Sequence, residues 1–399
     1  MEQRRLLVIA NSFPDKADRH PGGVFIKGQV RAVAPHFAEV HVVFPSTLGM
    51  SYEPRKDFKD YSFGNVHVHF LPYFNVPLFL RVFRKGFIWF MAGAIERLVR
   101  REGVRFDIIH AHFTWPSGGA AVRLKEMYDV PVVVTEHTSI AFNRALESKD
   151  PVFMDTWLSS DAVVRVKEGD IDRMAEAGVP REKLHFIPNG FDDSAFKPMD
   201  RGECRKSLGL PADKKVVVSI GSLHDFKGHR YLVDAMVSVV ERQNDVVCYI
   251  VGDGPMMPAL RKQIDTLRLG DHVKLVGTGP YQSVPIWMGA SDLVAHPSLS
   301  ESGPMVMFEA LGCGRPFVGT NVGSVPDVIR SEEFGIVCPP GDAVALSDAI
   351  SRGLSKTWDA SKISSYASMY ASKEVAKELL AVYRGLMDGG GKPSETKPR

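Results

Sequence analysis

Cysteine is scarce and unpaired in this chain: only Cys204, Cys248, Cys313 and Cys338, with no C-x-x-C among them. Such spacing argues against a zinc site or disulfide framework and for a reducing compartment, so a cytoplasmic home is expected. An excess of one charge is missing too. The 49 Lys and Arg nearly balance 47 Asp and Glu, and the formal +2 is too small to point to nucleic acid. No apolar run approaches the roughly 20 residues of a spanning helix. The first run, Leu6 to Ala10, is too short for a signal segment and passes into polar loop residues, so it reads as a strand. Neither half carries G-x-G-x-x-G after its first strand, which removes the dinucleotide fingerprint of a dehydrogenase.

What is present suits two globular domains. At 399 residues, 44% hydrophobic and 24% charged, one core is too few. Apolar runs at Leu6–Ala10, Val40–Phe44, Val66–Leu71, Phe106–His112, Pro131–Thr135 and Ala162–Val166 read as buried strands of a first domain, 1–190. A polar connector at about 190–214 leads to a second series: Val216–Ile220, Val246–Val251, Val273–Gly277, Leu293–Ala295 and Pro316–Gly319. The second domain is expected over 191–370, with helices at about 342–355 and 373–387. A C-terminal helix in 371–388 can pack back on the first domain, and the Gly-, Lys- and Pro-rich tail 389–399 is expected to be disordered.

Candidate site residues gather where strands end, because doubly wound sheets bind ligands beyond the carboxyl ends of their strands. His110 and His112 close one strand and His137 follows the next, so all three could face one site. No acid at ligand spacing accompanies them, and no metal is expected. Gly22 and Gly23, between the first strand and a helix, let backbone approach a ligand closely. In Pro77–Arg105, Arg81, Arg84 and Lys85 fall at helical spacing beside many aromatics. Either an interfacial helix on anionic lipid or a sheet-covering helix with a solvated basic edge fits that pattern.

The stretch Ser291–Val328 organises the second half. A short apolar run ends at Pro297, a polar loop carries Glu301, and a helix opens at Pro304 with Glu309 within it. An uncapped helix start is a natural anion site, and a carboxylate on either side of it could take hydrogen bonds from sugar hydroxyls.

The stretch resembles the Glu-x7-Glu signature of retaining nucleotide-sugar glycosyltransferases of family 4, matched by Pro297, Ser298, Glu301, Glu309, Ala310, Gly314 and Pro316. Further matches are I-P-N-G at Ile187–Gly190, Lys227-Gly228 after the first strand of the second domain, and Gly252-Asp-Gly254-Pro. The resemblance implies a GT-B fold of two Rossmann-like domains facing a cleft. It implies a hexose or N-acetylhexosamine passed with retention from a nucleotide diphosphate sugar to a glycan, glycolipid or polyprenyl-linked acceptor. It assigns catalysis to His137 and Glu301, and donor binding to Gly22, Gly23, Ser222, Lys227, Gly228, Gly252, Gly254, Gly303, Pro304, Met305 and Glu309. His110 and His112 fall to the acceptor. Ser222 stands where the family commonly has arginine, so Lys227 and helix N–H groups carry more of the diphosphate charge, with no cofactor or metal required. Peripheral membrane contact and polysaccharide synthesis go with the family. A GT-B nucleotide-sugar epimerase and a non-catalytic nucleotide-sugar binder are the alternatives.

Overall fold

Alternation of apolar runs with amphipathic stretches builds parallel sheets whose strands return through helices. The computed structural model describes residues 1–18, 22–48, 58–74 and 83–388. They form two units, Met1–Pro188 together with residues from Val375, and Asn189–Glu374.

The first unit holds β1 (Arg5–Ala10), β2 (Glu39–Leu48), β3 (Tyr61–Phe63), β4 (Val66–Phe74), β5 (Ile108–His112), β6 (Val132–Glu136), β7 (Ala162–Arg165) and β8 (Leu184–Phe186). Their order is β3-β4-β2-β1-β5-β6-β7-β8, with only β3 shown antiparallel, against β4. Three of its helices matter below: α1 (Val24–Val33), α2 (Arg84–Glu102) and the last, Ser372–Asp388. Strand side chains alternate in direction, so both faces must be covered. Leu6 and Val8 pack with Ile26 and Val30 of α1 and with Leu379 and Tyr383 of the last helix. Leu7 and Ile9 pack with Phe87, Met91 and Ile95 of α2.

The second unit holds β9 (Lys215–Ile220), β10 (Val246–Val251), β11 (Val273–Gly277), β12 (Leu293–His296), β13 (Phe317–Thr320) and β14 (Gly335–Cys338), in the order β11-β10-β9-β12-β13-β14. Val217 and Cys248 meet Leu232, Val233 and Met236 of α3 (His229–Arg242) on one face. Val294 and Phe317 meet Phe308 and Leu311 of α4 (Met305–Gly312) on the other.

Differences from the sequence reading are local. The strands β3, β8 and β14 were not expected, being three or four residues long. The connector at 190–214 is not free chain. It contains a helix, Arg201–Leu208, whose Arg205 donates to Ala290 O at 3.0 Å and Asp292 Oδ2 at 2.7 Å. Its polar composition reflects an exposed amphipathic helix. The expected basic face also changes. Arg81 and the tail 389–399 lie outside the described residues. Arg84 turns inward, 2.5 Å from Asp150 Oδ2 and 5.3 Å over the Trp115 ring, while Lys85 pairs with Asp155 at 2.9 Å. Trp89 is exposed at 61%, with the Arg123 guanidinium 4.0 Å from its ring centre. Among the described residues, no helix is long and apolar enough to cross a membrane.

Candidate functional site

In the second sheet β9 and β12 are neighbours although two strands lie between them in the chain, which makes the point where the winding reverses. Loops leaving such neighbours diverge and leave room for a ligand. Here they also lock together. Leu299 N donates to Phe226 O at 2.7 Å. Gly228 sits at φ +67°, and a Cβ there would lie 2.0 Å from Pro297 O, so glycine is required.

This lock carries Lys227 to Glu301. Lys227 Nζ lies 2.6 Å from Glu301 Oε1, and the same oxygen accepts from Ser298 Oγ at 2.8 Å and His296 Nε2 at 2.9 Å. A carboxylate only accepts, so His296 carries its hydrogen on Nε2. Burial pushes the Glu301 carboxyl up, but His296 and Lys227 outweigh it and bring it down to about 2. Burial in turn holds His296 below its ordinary value. The arrangement is an ionised acid, a cation and a neutral imidazole donor in a largely buried corner.

Glu309 lies on α4 and is 5% exposed. Its Oε1 accepts from Tyr281 Oη at 2.6 Å. Burial raises its carboxyl to about 7, against the lowering effect of that hydrogen bond. The helix opens at Met305 behind Pro304, and no side chain caps it. Gly303 O accepts from Asn189 Nδ2 at 2.8 Å, and Ser302 Oγ and His229 Nδ1 are buried without a partner among the described residues. Ser222 is exposed.

Gly252 and Gly254 have a packing reason to be glycine. Cβ atoms there would lie 1.8 Å from Gly221 O and 2.7 Å from Leu223 O, so the turn after β10 rests on the loop after β9.

In the first unit, His137 follows β6 on a turn fastened at both flanks. The buried Glu136 accepts from Thr114 N at 2.9 Å through Oε2 and from Thr138 N at 2.6 Å through Oε1. Arg165 Nη1 donates to Glu136 O at 2.5 Å and Thr138 O at 3.2 Å. The guanidinium is anchored by Asp170, with Nε 3.1 Å from Oδ2, and lies 3.9 Å from the Phe142 ring centre. The His137 ring meets Phe25 and Phe113 edge-on at 4.8 and 5.3 Å. Phe25 is placed by Gly23, whose φ of +78° turns the chain into α1, and a Cβ on Gly23 would lie 2.3 Å from Ser12 O.

Two assignments need correction. His110 is 1% exposed and uses both ring nitrogens internally, on Thr135 Oγ1 at 2.7 Å and Tyr383 Oη at 2.6 Å. It has no nitrogen left for an acceptor. His112 is equally buried, with Nδ1 2.9 Å from His137 Nε2, so it lies behind His137. The sequence Asp170-Ile-Asp172 spells D-x-D, a pattern that can hold a divalent ion. Asp170, however, is buried under Arg165 and Arg173, and Asp172 pairs with Arg181. Sequence reasoning missed His296, Ser298 and Tyr281 as partners of the two glutamates, and missed Arg165. Its one available signal was a lone cation closing the apolar strand Ala162–Arg165.

The family description Glycosyl transferases group 1 matches residues 200–369, and Glycosyltransferase Family 4 matches residues 22–195. Each match covers less than half of the chain, and together they support a glycosyltransferase. The glycosyltransferase is similar to N-acetyl-alpha-D-glucosaminyl L-malate synthase of Bacillus anthracis, 26% identical over 313 residues and 78% of each chain. Its fold is that of GT-B enzymes. It superposes on sucrose-phosphate synthase of Thermosynechococcus elongatus with a TM-score of 0.78 and 20% identity, covering 97% of this chain and 100% of that one. Anabaena HepE in complex with UDP-glucose gives 0.73 and 20%, covering 96% and 100%.

Proposed function

We propose that the glycosyltransferase transfers a hexose or N-acetylhexosamine from a nucleotide diphosphate sugar to a glycan or lipid-linked saccharide, with retention. The observation that carries this reading is the half-buried Lys227–Glu301 pair at the carboxyl ends of β9 and β12, beside an uncapped helix start. Lys227 and the first amides of α4 meet the charge that grows on the diphosphate as the bond from the anomeric carbon breaks. The acceptor hydroxyl adds to the same face and gives its proton to the leaving phosphate oxygen. Glu301 holds hydroxyls of the donor sugar, Glu309 holds the ribose, and His137 contacts the sugar. No metal has a part in this scheme. The named substrates of the relatives, an N-acetylglucosaminyl group and UDP-glucose, support the donor class. Four buried free thiols support a cytoplasmic home. The exposed Trp89, Phe83 and Phe90 favour a lipid-linked acceptor and peripheral contact with a membrane.

The test is incubation with UDP- and GDP-sugars and two acceptor arms, soluble oligosaccharide and polyprenyl-linked saccharide in vesicles. Nucleoside diphosphate release with an alpha-configured product from an alpha-configured donor is expected. An inverted anomeric signal in early proton NMR spectra would sink retention. Epimerised donor without transfer would mark an epimerase, and binding without turnover a non-catalytic protein.

Glu309 adds a pH dependence. Ribose hydroxyls donate to a carboxylate, so binding favours the ionised form and expels a proton from a group poised at about 7. Affinity for a nucleotide sugar should therefore rise with pH, roughly tenfold per unit below 7, and level off above it. Glu309→Gln should flatten that slope and weaken binding at pH 8 by roughly ten- to a hundredfold, the worth of a charge-assisted hydrogen bond. Titration calorimetry at several pH values checks both. A slope that survives in the variant would assign the proton elsewhere.

A further inference from the structure

Glu301 and Glu309 are held in opposite ways. Glu301 has a cation and two neutral donors, whereas no cation pairs with Glu309 among the described residues. Tyr281 is the one hydrogen-bond partner of the Glu309 carboxyl there, donating from Oη to Oε1 at 2.6 Å. That length is typical of a hydroxyl bonded to a charged oxygen. The other oxygen, Oε2, takes no bond from a described residue and is not sealed from solvent, although the residue is only 5% exposed. Tyr281 is itself fixed. It opens a single turn after β11, Tyr281–Ser283, in which Ser283 N and Oγ both donate to Pro280 O, at 2.8 and 2.7 Å. Its ring meets the buried Phe196 edge-on at 5.9 Å and packs against the cluster that holds Phe308 and Leu311 of α4. A braced turn and a packed ring thus bring the hydroxyl to Glu309.

We infer that Tyr281 is a positioning residue for Glu309: its hydroxyl holds Oε1 and leaves Oε2 for the ribose of the nucleotide. The use of Oε2 rests on Glu309 binding the ribose, as in the proposed function; the hold on Oε1 does not. A buried carboxylate short of a cation stays ionised only as far as its hydrogen bonds favour the charged form. Burial has already raised Glu309 to about 7, against the pull of Tyr281. Without the hydroxyl the carboxyl climbs further, keeps its proton at neutral pH, and stops accepting from a ribose hydroxyl as an anion. Cys313 is the other titratable group beside Glu309, and burial pushes its thiol up to about 12, so it stays neutral through this range. Arg315, two positions on, donates instead to Met199 O and Gly289 O.

The test has two arms, both on the full chain. In the first, glutamate carboxyls are labelled with 13C and the Glu309 signal is identified by its loss in Glu309→Gln. Tyr281→Phe, which keeps the ring, should move the Glu309 titration upward by about one pH unit or more. An unmoved midpoint overturns the inference. In the second arm, calorimetry from pH 6 to 9 compares UDP or GDP, whichever binds, with its 2′,3′-dideoxy counterpart. The ratio of the two affinities separates the ribose hydroxyls from the titration of the diphosphate. In Tyr281→Phe that ratio should fall roughly fivefold at pH 7 and return close to the parent value at pH 9. A fall of the same size at pH 9 would mean that the hydroxyl meets the ribose itself, and it overturns the positioning role. So does a ratio that Tyr281→Phe leaves unchanged at every pH while Glu309→Gln lowers it. If the NMR midpoint moves but Glu309→Gln leaves the ratio at its parent value, the hold on Oε1 stands and the ribose contact in the proposed function falls.

Discussion

Lys227→Met is expected to slow turnover by roughly 10²–10³ at saturating donor and acceptor, the usual scale for removing one donor from developing negative charge. Two losses combine in this change. The leaving diphosphate loses its side-chain cation, and with Ser222 exposed in the same loop no other cation replaces it there. Glu301 also loses the partner 2.6 Å away. With that partner gone, the desolvation that already pushes the carboxyl upward meets less opposition, so its titration climbs from about 2. The acid limb of kcat/KM should move to higher pH in the variant, which a role for Lys227 in diphosphate binding alone does not require. Glu301→Gln should lose turnover while keeping most donor affinity. Stopped assays across pH 4 to 8 decide the matter, and a Lys227→Met rate within threefold of the parent would remove the pair from the mechanism.

Arg165→Met is the second large effect, and it is read in stability. The guanidinium is 1% exposed, paired with an Asp170 that is 2% exposed, and donates to two carbonyls of the His137 turn. Removing one partner leaves a buried carboxylate short of charge, which costs about 3–5 kcal/mol. Arg173, 2.9 Å from Asp170 Oδ1, offsets part of that and sets the expectation toward the lower end. Trp157 is a suitable reporter: it is fully buried, bonded to Thr114 Oγ1 at 2.8 Å and packed against Phe142. Two units need not melt together, so its fluorescence should be followed separately from the far-ultraviolet signal. A loss under about 1 kcal/mol would mean that the bracket is satisfied by water once opened.

The long central strands are legible in the sequence because burial on both faces demands unbroken apolar runs, as in Leu6–Ala10 or Val246–Val251. Tyr61–Phe63 and Leu184–Phe186 lack such runs and exist because a neighbouring strand offers an unpaired edge. Glu301, Glu309 and Lys227 are legible because their spacing to strand ends and glycines is local. Their partners are less so: Tyr281 reaches Glu309 from 28 positions away, and Arg165 reaches the Glu136 carbonyl from 29. His110 and His112 show the limit most clearly. A period of two puts them on one face of β5, but what covers that face is Tyr383, 273 positions beyond His110. Periodicity reports which residues share a side and is silent on what comes to lie over it.

The last helix also bears on how the protein is made. Val375, Ala376, Leu379, Leu380, Tyr383 and Met387 belong to the same buried cluster as Leu6 and Val8. The second unit, Asn189–Glu374, is thus an insertion within the first, and it is one unbroken segment. On a ribosome adding about 5–20 residues per second, the sheet begun at Arg5 waits roughly ten to forty seconds for its closing piece while the inserted unit is synthesised. The half that starts first finishes last. Until Val375–Met387 is made, the nascent chain carries an open apolar face along β1 and α1, a natural place for a chaperone to hold it.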